Sequence, residues 1–209
     1  MIEVKKVSKQ LKGRQILDQI SLNFEKGKIY GLKGRNGAGK TMLMRAIAGL
    51  IRVDGEIIID GKKLGVEIDF PENLGILIEN AGVLPDFTLM KNLKLLAKIR
   101  KVATDADIAE AIKRVGLEPS EKRKIRQYSL GMKQRANIAQ AIFEKPDLLL
   151  LDEPTNAIDE KGVAMIRELL LTEKARGATI IIASHNEEDL KILTDEIIYM
   201  EDGRLVKNE

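Results

Sequence analysis

A chain of 209 residues is long enough for one domain, or for one domain carrying a sizeable insertion. It is 44% hydrophobic and 32% charged, and its formal net charge of +3 falls well short of the basic footprint of a nucleic-acid binder. Only 3% is aromatic, with no Trp to stack on bases, and the lack of Cys excludes disulfides and thiolate metal sites.

MIEVKKVSKQ, at the start, lacks the apolar core of a signal peptide. Runs such as LLLL and TIIIAS are far below the roughly 18 apolar residues of a membrane span, so the chain is not expected to cross a bilayer. The first third reads as strands. IEVKKV and ILDQISLNFE alternate apolar with polar residues, and KIYGLKG is a short apolar run ending in glycine. KTMLMRAIAGLI reads as a helix, GEIIIDGKKL as a strand running into an Asp60-Gly61 turn, and LGILIE as a buried strand.

The pattern then becomes helical, and an inserted helical subdomain is expected over about 86–143. FTLMKNLKLLAKIRK puts Leu89, Leu93 and Leu96 on one face, with Lys91, Lys94, Lys98 and Lys101 elsewhere. That basic face suits solvent, a membrane surface or a partner. TDADIAEAIKRVGL is a second helix, with a capping box at Thr104 and Asp107 and a stop at Gly116. Ser129 caps a third, MKQRANIAQAIF. The remainder alternates the apolar strands DLLLLD, ATIIIAS and EIIYME with helices, which means a parallel sheet covered on both faces.

Two motifs carry chemistry. GRNGAGKT fits the phosphate-loop pattern G-x-x-x-x-G-K-[ST] in full, after a strand and before a helix. Gly34, Arg35, Asn36, Gly37, Ala38, Gly39, Lys40, Thr41 and Met42 form the candidate phosphate cradle. Lys40 is placed to reach the β- and γ-phosphates, and the Thr41 hydroxyl to ligate Mg²⁺. LLLLDE delivers Asp152 and Glu153 at the carboxyl end of a buried strand, where open α/β sheets bind ligands. Asp152 suits the metal, and Glu153 suits orienting or deprotonating a water. SLGMKQ opens a helix like a second anion-binding N-terminus, which one nucleotide site does not explain.

With GRNGAGKT, SLGMKQ, LLLLDEPTN, NAID and ASHN in this order, nearly the whole chain resembles the ATP-binding subunits of ABC transporters. The wording of LIEN and SLGMKQ looks like that of exporters of the bacitracin-resistance and lantibiotic-immunity kind. The resemblance implies an α/β P-loop NTPase fold with a mostly parallel sheet, an N-terminal antiparallel β portion and the helical insertion. It implies ATP and Mg²⁺ as ligands, an ATP-dependent dimer with a second copy, and a cytoplasmic chain held at the inner face of the cell membrane by a separate integral-membrane permease. Nucleic acid is not expected as a partner. Ser129 and Gly131 would face a nucleotide held by the other subunit, and Asn156–Asp159 would run along that interface. His185, the chain's single His, would touch the γ-phosphate and act in catalysis with Lys40 and Glu153. Leu11 stands where the family usually stacks an aromatic on adenine. Glu79 stands where the family usually has Gln, with an oxygen toward the metal or the attacking water. Two other classes compete. A soluble switch of the same superfamily acting on ribosomes or DNA usually joins two such domains or inserts long coiled coils. A small-molecule kinase has no use for SLGMKQ.

Overall fold

The computed structural model describes residues 1–78 and 82–206. The chain opens with β1 (Ile2–Leu11), β2 (Arg14–Phe24), β3 (Ile29–Lys33), α1 (Lys40–Ile47), β4 (Asp54–Ile59), β5 (Lys62–Lys63) and β6 (Leu74–Leu77). Helices α2 (Leu89–Arg100), α3 (Asp105–Arg114) and α4 (Leu130–Ile142) follow, then β7 (Leu148–Asp152), α5 (Glu160–Ala175), β8 (Thr179–Ala183), α6 (Glu187–Leu193), β9 (Glu196–Glu201) and β10 (Arg204–Val206).

Two sheets result. One is antiparallel, in the order β2-β1-β4-β5; the other runs β10-β9-β3-β8-β7-β6, parallel except for the β9–β10 hairpin. The run of four leucines in β7 shows why its strands read as unbroken apolar segments. Leu148 and Leu150 point into a core shared with α1 and the antiparallel sheet, while Leu149 and Leu151 point into a second core shared with α2 to α5. Both faces are covered, so neither face needs a polar residue.

Alternation fails in β1. Its buried apolar residues are Ile2, Val4 and Val7, and the register with β2 slips between Val4 and Val7. Lys6 there takes φ +49°. A bulge inserts the extra residue and turns Val7 back to the core.

The helices of 86–143 have no core of their own among the described residues. Leu93, Ile108 and Ala139 join the same cluster as Leu149 and Ile180. α4 lies hard against β6: a Cβ on Gly75 would sit 2.0 Å from the Ala141 carbonyl oxygen. Only glycine permits that approach.

The capping box of α3 forms. Asp107 Oδ2 accepts from the Thr104 amide at 2.9 Å, and the Asp107 amide donates to Thr104 Oγ1 at 3.2 Å. Lys145 reaches Asp107 Oδ1 at 2.7 Å and ties α3 to the end of α4. Lys145 first, and the Thr104 bonds after it, hold the Asp107 carboxyl well below the usual carboxylate range. Its stabilising contribution is therefore complete above the unfolded carboxylate's pKa near ~3.9 and fades as pH falls toward the depressed folded value. Asp107→Asn removes a solvent-screened ion pair and a first-turn negative charge and is expected to cost about 0.5–1 kcal/mol at neutral pH. Urea midpoints for both proteins should differ at pH 7 and draw together only as pH falls below ~3.9 toward the depressed folded value; a gap that does not narrow over that fall would show that the ionised carboxylate contributes nothing.

Candidate functional site

β3, β7 and β8 end together at one edge of the parallel sheet, and their following loops form a cleft of about 810 Å³. Its walls include Asn36 to Met42, Asp152, Glu153 and His185. Gly39 takes φ +100° at the start of α1, and no side chain caps that helix. The first N–H groups of α1 are left for an anion, and the helix dipole favours one there.

Lys40 is 6% exposed, and its ammonium donates to the loop's own carbonyls, Gly34 O at 2.6 Å and Arg35 O at 3.1 Å. Burial pushes its pKa down, while Glu153 and Asp152 push it back up. The Thr41 hydroxyl donates to Asp152 Oδ2 at 2.6 Å. One carboxylate and one hydroxyl on adjacent elements are the hard oxygen donors Mg²⁺ takes beside substrate phosphates, so these residues fit that ion.

Glu153 follows β7 with φ +48°, a left-handed conformation costly for a residue with a side chain. Its amide donates to Ala183 O at 2.8 Å, and Gln134 of α4 donates to its carbonyl at 2.8 Å. Its Oε1 accepts from the His185 amide at 3.0 Å. Burial pushes the Glu153 carboxyl up; the His185 ring opposes this and the Asp152 carboxylate adds to it. The His185 ring lies 2.7 Å from Asn36 Oδ1 through Nε2, the same nitrogen standing 3.7 Å from Glu153 Oε1. A carboxylate with raised basicity, a histidine, a buried ammonium and a capless helix start thus converge on one cleft, the parts phosphoryl transfer to water requires.

Other expected residues lie elsewhere. Gly34 and Arg35 line a depression behind the loop with Lys33 and Tyr199. A Cβ on Gly34 would sit 2.2 Å from Met200 O, so this glycine seats the loop against β9. Ser129 caps α4 by accepting from the Met132 amide at 3.2 Å. Neither Ser129 nor Gly131 lines the cleft, although Leu130 and Gln134 do. Gly131 packs on the 156–159 loop, where an added Cβ would approach Ala157 O at 2.8 Å. Leu11 is 44% exposed, pairs with Arg14 across the Lys12-Gly13 turn and is not part of the cleft wall. Arg14 and Ile16 of β2 stand there instead. The signal for them was the period-2 face that both share on one strand. Glu79 lies outside the described residues.

A family model described as ABC transporter matches residues 17–156. The ABC transporter ATP-binding protein YybJ of Bacillus subtilis is 57% identical over 100% of this chain and 96% of its own length. The bacitracin transport ATP-binding protein BcrA of Enterococcus faecalis is 38% identical over 99% of this chain and 68% of its own. The lantibiotic transport ATP-binding protein SrtF of Streptococcus pyogenes is 34% identical over 99% and 89%. Among solved structures, a dimeric structure of MJ0796, a bacterial ABC transporter cassette, superposes with TM-score 0.90 at 26% identity, covering 100% of this chain and 98% of that one. A dimeric post-hydrolysis state of MJ0796 bound to ADP and Pi superposes with TM-score 0.89. Sequence, fold and the contents of the cleft agree, and the chain belongs to the ABC transporter family as an ATP-binding subunit with ATPase activity.

Proposed function

We propose that this ATPase powers a permease carried on a separate membrane chain, as a dimer that closes around ATP. The observation that carries the reading is how the anion-binding groups are divided. The cleft holds the phosphate loop, Asp152, Glu153 and His185, while Ser129 at the start of α4 is exposed and outside the cleft wall. A second copy related by two-fold symmetry would bring that helix start to the first copy's γ-phosphate, and the reverse. ATP then makes contacts that only the closed dimer offers, so its binding shifts the equilibrium toward closure. The dimeric MJ0796 structures support this arrangement.

Within each cleft, Lys40 would leave the loop carbonyls for the β- and γ-phosphates. Thr41 and Asp152 would hold Mg²⁺, which supplies charge neutralisation on the phosphate oxygens. Glu153 would orient the attacking water and take its proton, and His185 would hold the γ-phosphate end with Asn36 beside it. Glu79 is proposed to lend an oxygen near the metal. Among the described residues no helix is long and apolar enough to cross a membrane. Membrane attachment at the inner face would therefore come through the permease. The bacitracin and lantibiotic transport named for relatives supports a peptide-like cargo.

The test is purification of the tagged chain from detergent-solubilised membranes of its own cell. A polytopic membrane protein should co-purify and raise the ATPase rate. Co-sedimentation with ribosomes or DNA, without a membrane protein, would support the soluble-switch reading instead.

The base of the nucleotide falls to Arg14 in this reading, not Leu11. Arg14 lies two residues beyond Ile16, whose carbonyl is within 2.9 Å of where a Gly39 Cβ would be. At about 3.3 Å per residue, Arg14 lies roughly 7 Å along the strand from Ile16 and lines the same cleft, where it would meet the nucleoside end. A planar guanidinium stacks on a flat ring. Arg14→Ala should weaken ATP binding about fivefold and leave inorganic tripolyphosphate binding unchanged. Equal losses for both ligands in titration calorimetry would assign Arg14 to the phosphates.

A further inference from the structure

Away from the cleft, one buried carboxylate joins the two loops that bear Glu153 and His185. Asp189 of α6 is 1% exposed and Thr155 is 7% exposed. The Thr155 hydroxyl donates to Asp189 Oδ2 in a short hydrogen bond. Arg167 of α5 donates to Asp189 Oδ1 through Nε at 2.7 Å, and its Nη2 reaches Glu188 at 3.0 Å. Asn186 closes the assembly by accepting from the Glu188 and Asp189 amides at 2.9 and 3.2 Å.

The position of this cluster in the chain gives it a consequence. Thr155 is two residues after Glu153 and one before Asn156, which starts the loop set toward a second copy. Asp189 is four residues after His185. The Thr155 loop is held in a costly conformation: Glu153 takes φ +48° and Ala157 takes φ +62°. Such backbone persists only where its surroundings over-determine it. The Glu153 end is fixed by Ala183 O and Gln134. The middle is fixed by the Thr155 hydroxyl on Asp189. A buried carboxylate is expensive unless paired and hydrogen-bonded, and Arg167 with Thr155 satisfies it.

We propose that Asp189 is a positioning residue for hydrolysis: through Thr155 it holds the Glu153 loop in register with the His185 loop, with Arg167 fixing the carboxylate's orientation. Neither Asp189 nor Thr155 lines the cleft, so neither reaches the nucleotide. Their effect falls on the placement of Glu153, where a displacement near 1 Å costs orders of magnitude in rate. This inference rests on the roles proposed for Glu153 and His185.

The experiment compares Thr155→Val, Thr155→Ser and Asp189→Asn in the full-length protein by steady-state ATPase, with thermal midpoints recorded alongside. Thr155→Val keeps the shape and removes the hydroxyl. It should lower kcat about tenfold with KM for ATP within about twofold. Thr155→Ser, which keeps the hydroxyl, should restore kcat to within about twofold of the parent. The Thr155→Val/Asp189→Asn double variant should be no slower than the slower single, because both remove one link. Unchanged kcat in Thr155→Val, an equal loss in Thr155→Ser, a rise in KM alone, or multiplicative losses in the double variant would each overturn the proposal. If Thr155→Val does not fold, Arg167→Lys serves. It keeps the charge but loses the Nε contact, and an unchanged kcat in it would overturn the proposal equally. Glu153→Gln, assayed in parallel, separates the two layers: near-parental turnover there removes the role of Glu153 itself, whatever Thr155→Val does.

Discussion

Glu153→Gln is expected to bind ATP, dimerise around it and fail to hydrolyse it. The side chain is held beside its target by the His185 amide, which donates to Oε1 at 3.0 Å. An amide oxygen accepts that bond equally well, so the geometry of the cleft survives the substitution. Basicity does not. Burial raises the Glu153 carboxyl above its ordinary range against the pull of the His185 ring, and a carboxylate made more basic takes a proton from water more readily. Removing a general base of this kind costs about 10²–10⁴ in rate. The phosphate loop, Lys40 and the Thr41–Asp152 pair are untouched, so nucleotide affinity should stay within about threefold. Slow hydrolysis then leaves the closed dimer populated, and light scattering after gel filtration should show twice the monomer mass only with ATP present. Turnover within a few-fold of the parent would take Glu153 out of the base role.

Much of this architecture was legible in the sequence because local and global signals agree. The strands of the parallel sheet are apolar throughout because both faces are buried, and GRNGAGKT sits between a strand and a helix, as its chemistry requires. The capping box at Thr104 and Asp107 is spelled out in four residues and forms as expected. Where legibility fails, tertiary contacts decide. Alternation in IEVKKV hides the bulge at Lys6, because a register slip leaves no mark on composition. Leu11 sits at the position suggested by resemblance, directly across the hairpin from Arg14, and it is Arg14 and Ile16 that the cleft wall contains. Asp60-Gly61 announces a turn, but the two-residue strand β5 behind it is too short to show a period. The link from Thr155 to Asp189 joins residues 34 positions apart and depends on the packing of α5 and α6, which no local pattern encodes. Gly131 looked like part of an anion site; in the chain itself it makes room for Ala157 O.

Lys40→Ala and Ser129→Arg should each be inactive alone and active when mixed. Lys40 is the buried cation of the cleft. Its loss leaves the β- and γ-phosphates without a fixed positive charge and should reduce turnover at least about 10²-fold. Ser129 lies at the exposed start of α4, outside the cleft of its own chain. Replacing it with Arg costs a helix cap, about 1 kcal/mol, which leaves the monomer folded and its own phosphate loop intact. The bulky cation instead occupies the surface proposed to meet the partner's nucleotide, so ATP binding by the monomer should persist while closure fails. In a two-fold dimer each site takes its loop from one chain and its α4 start from the other. A mixed dimer therefore has one site carrying both defects and one site carrying neither. At equal mixing about half the dimers are mixed and half their sites intact, so recovery to roughly a quarter of parental turnover is expected if the sites act independently. Differently tagged chains allow mixed dimers to be captured in ATP and assayed directly. Mixed dimers that form but do not turn over would show that the two sites fire only together. A Ser129→Arg chain that by itself still dimerises in ATP and turns over at the parental rate would remove Ser129 from the interface, and with it the sharing of sites between copies.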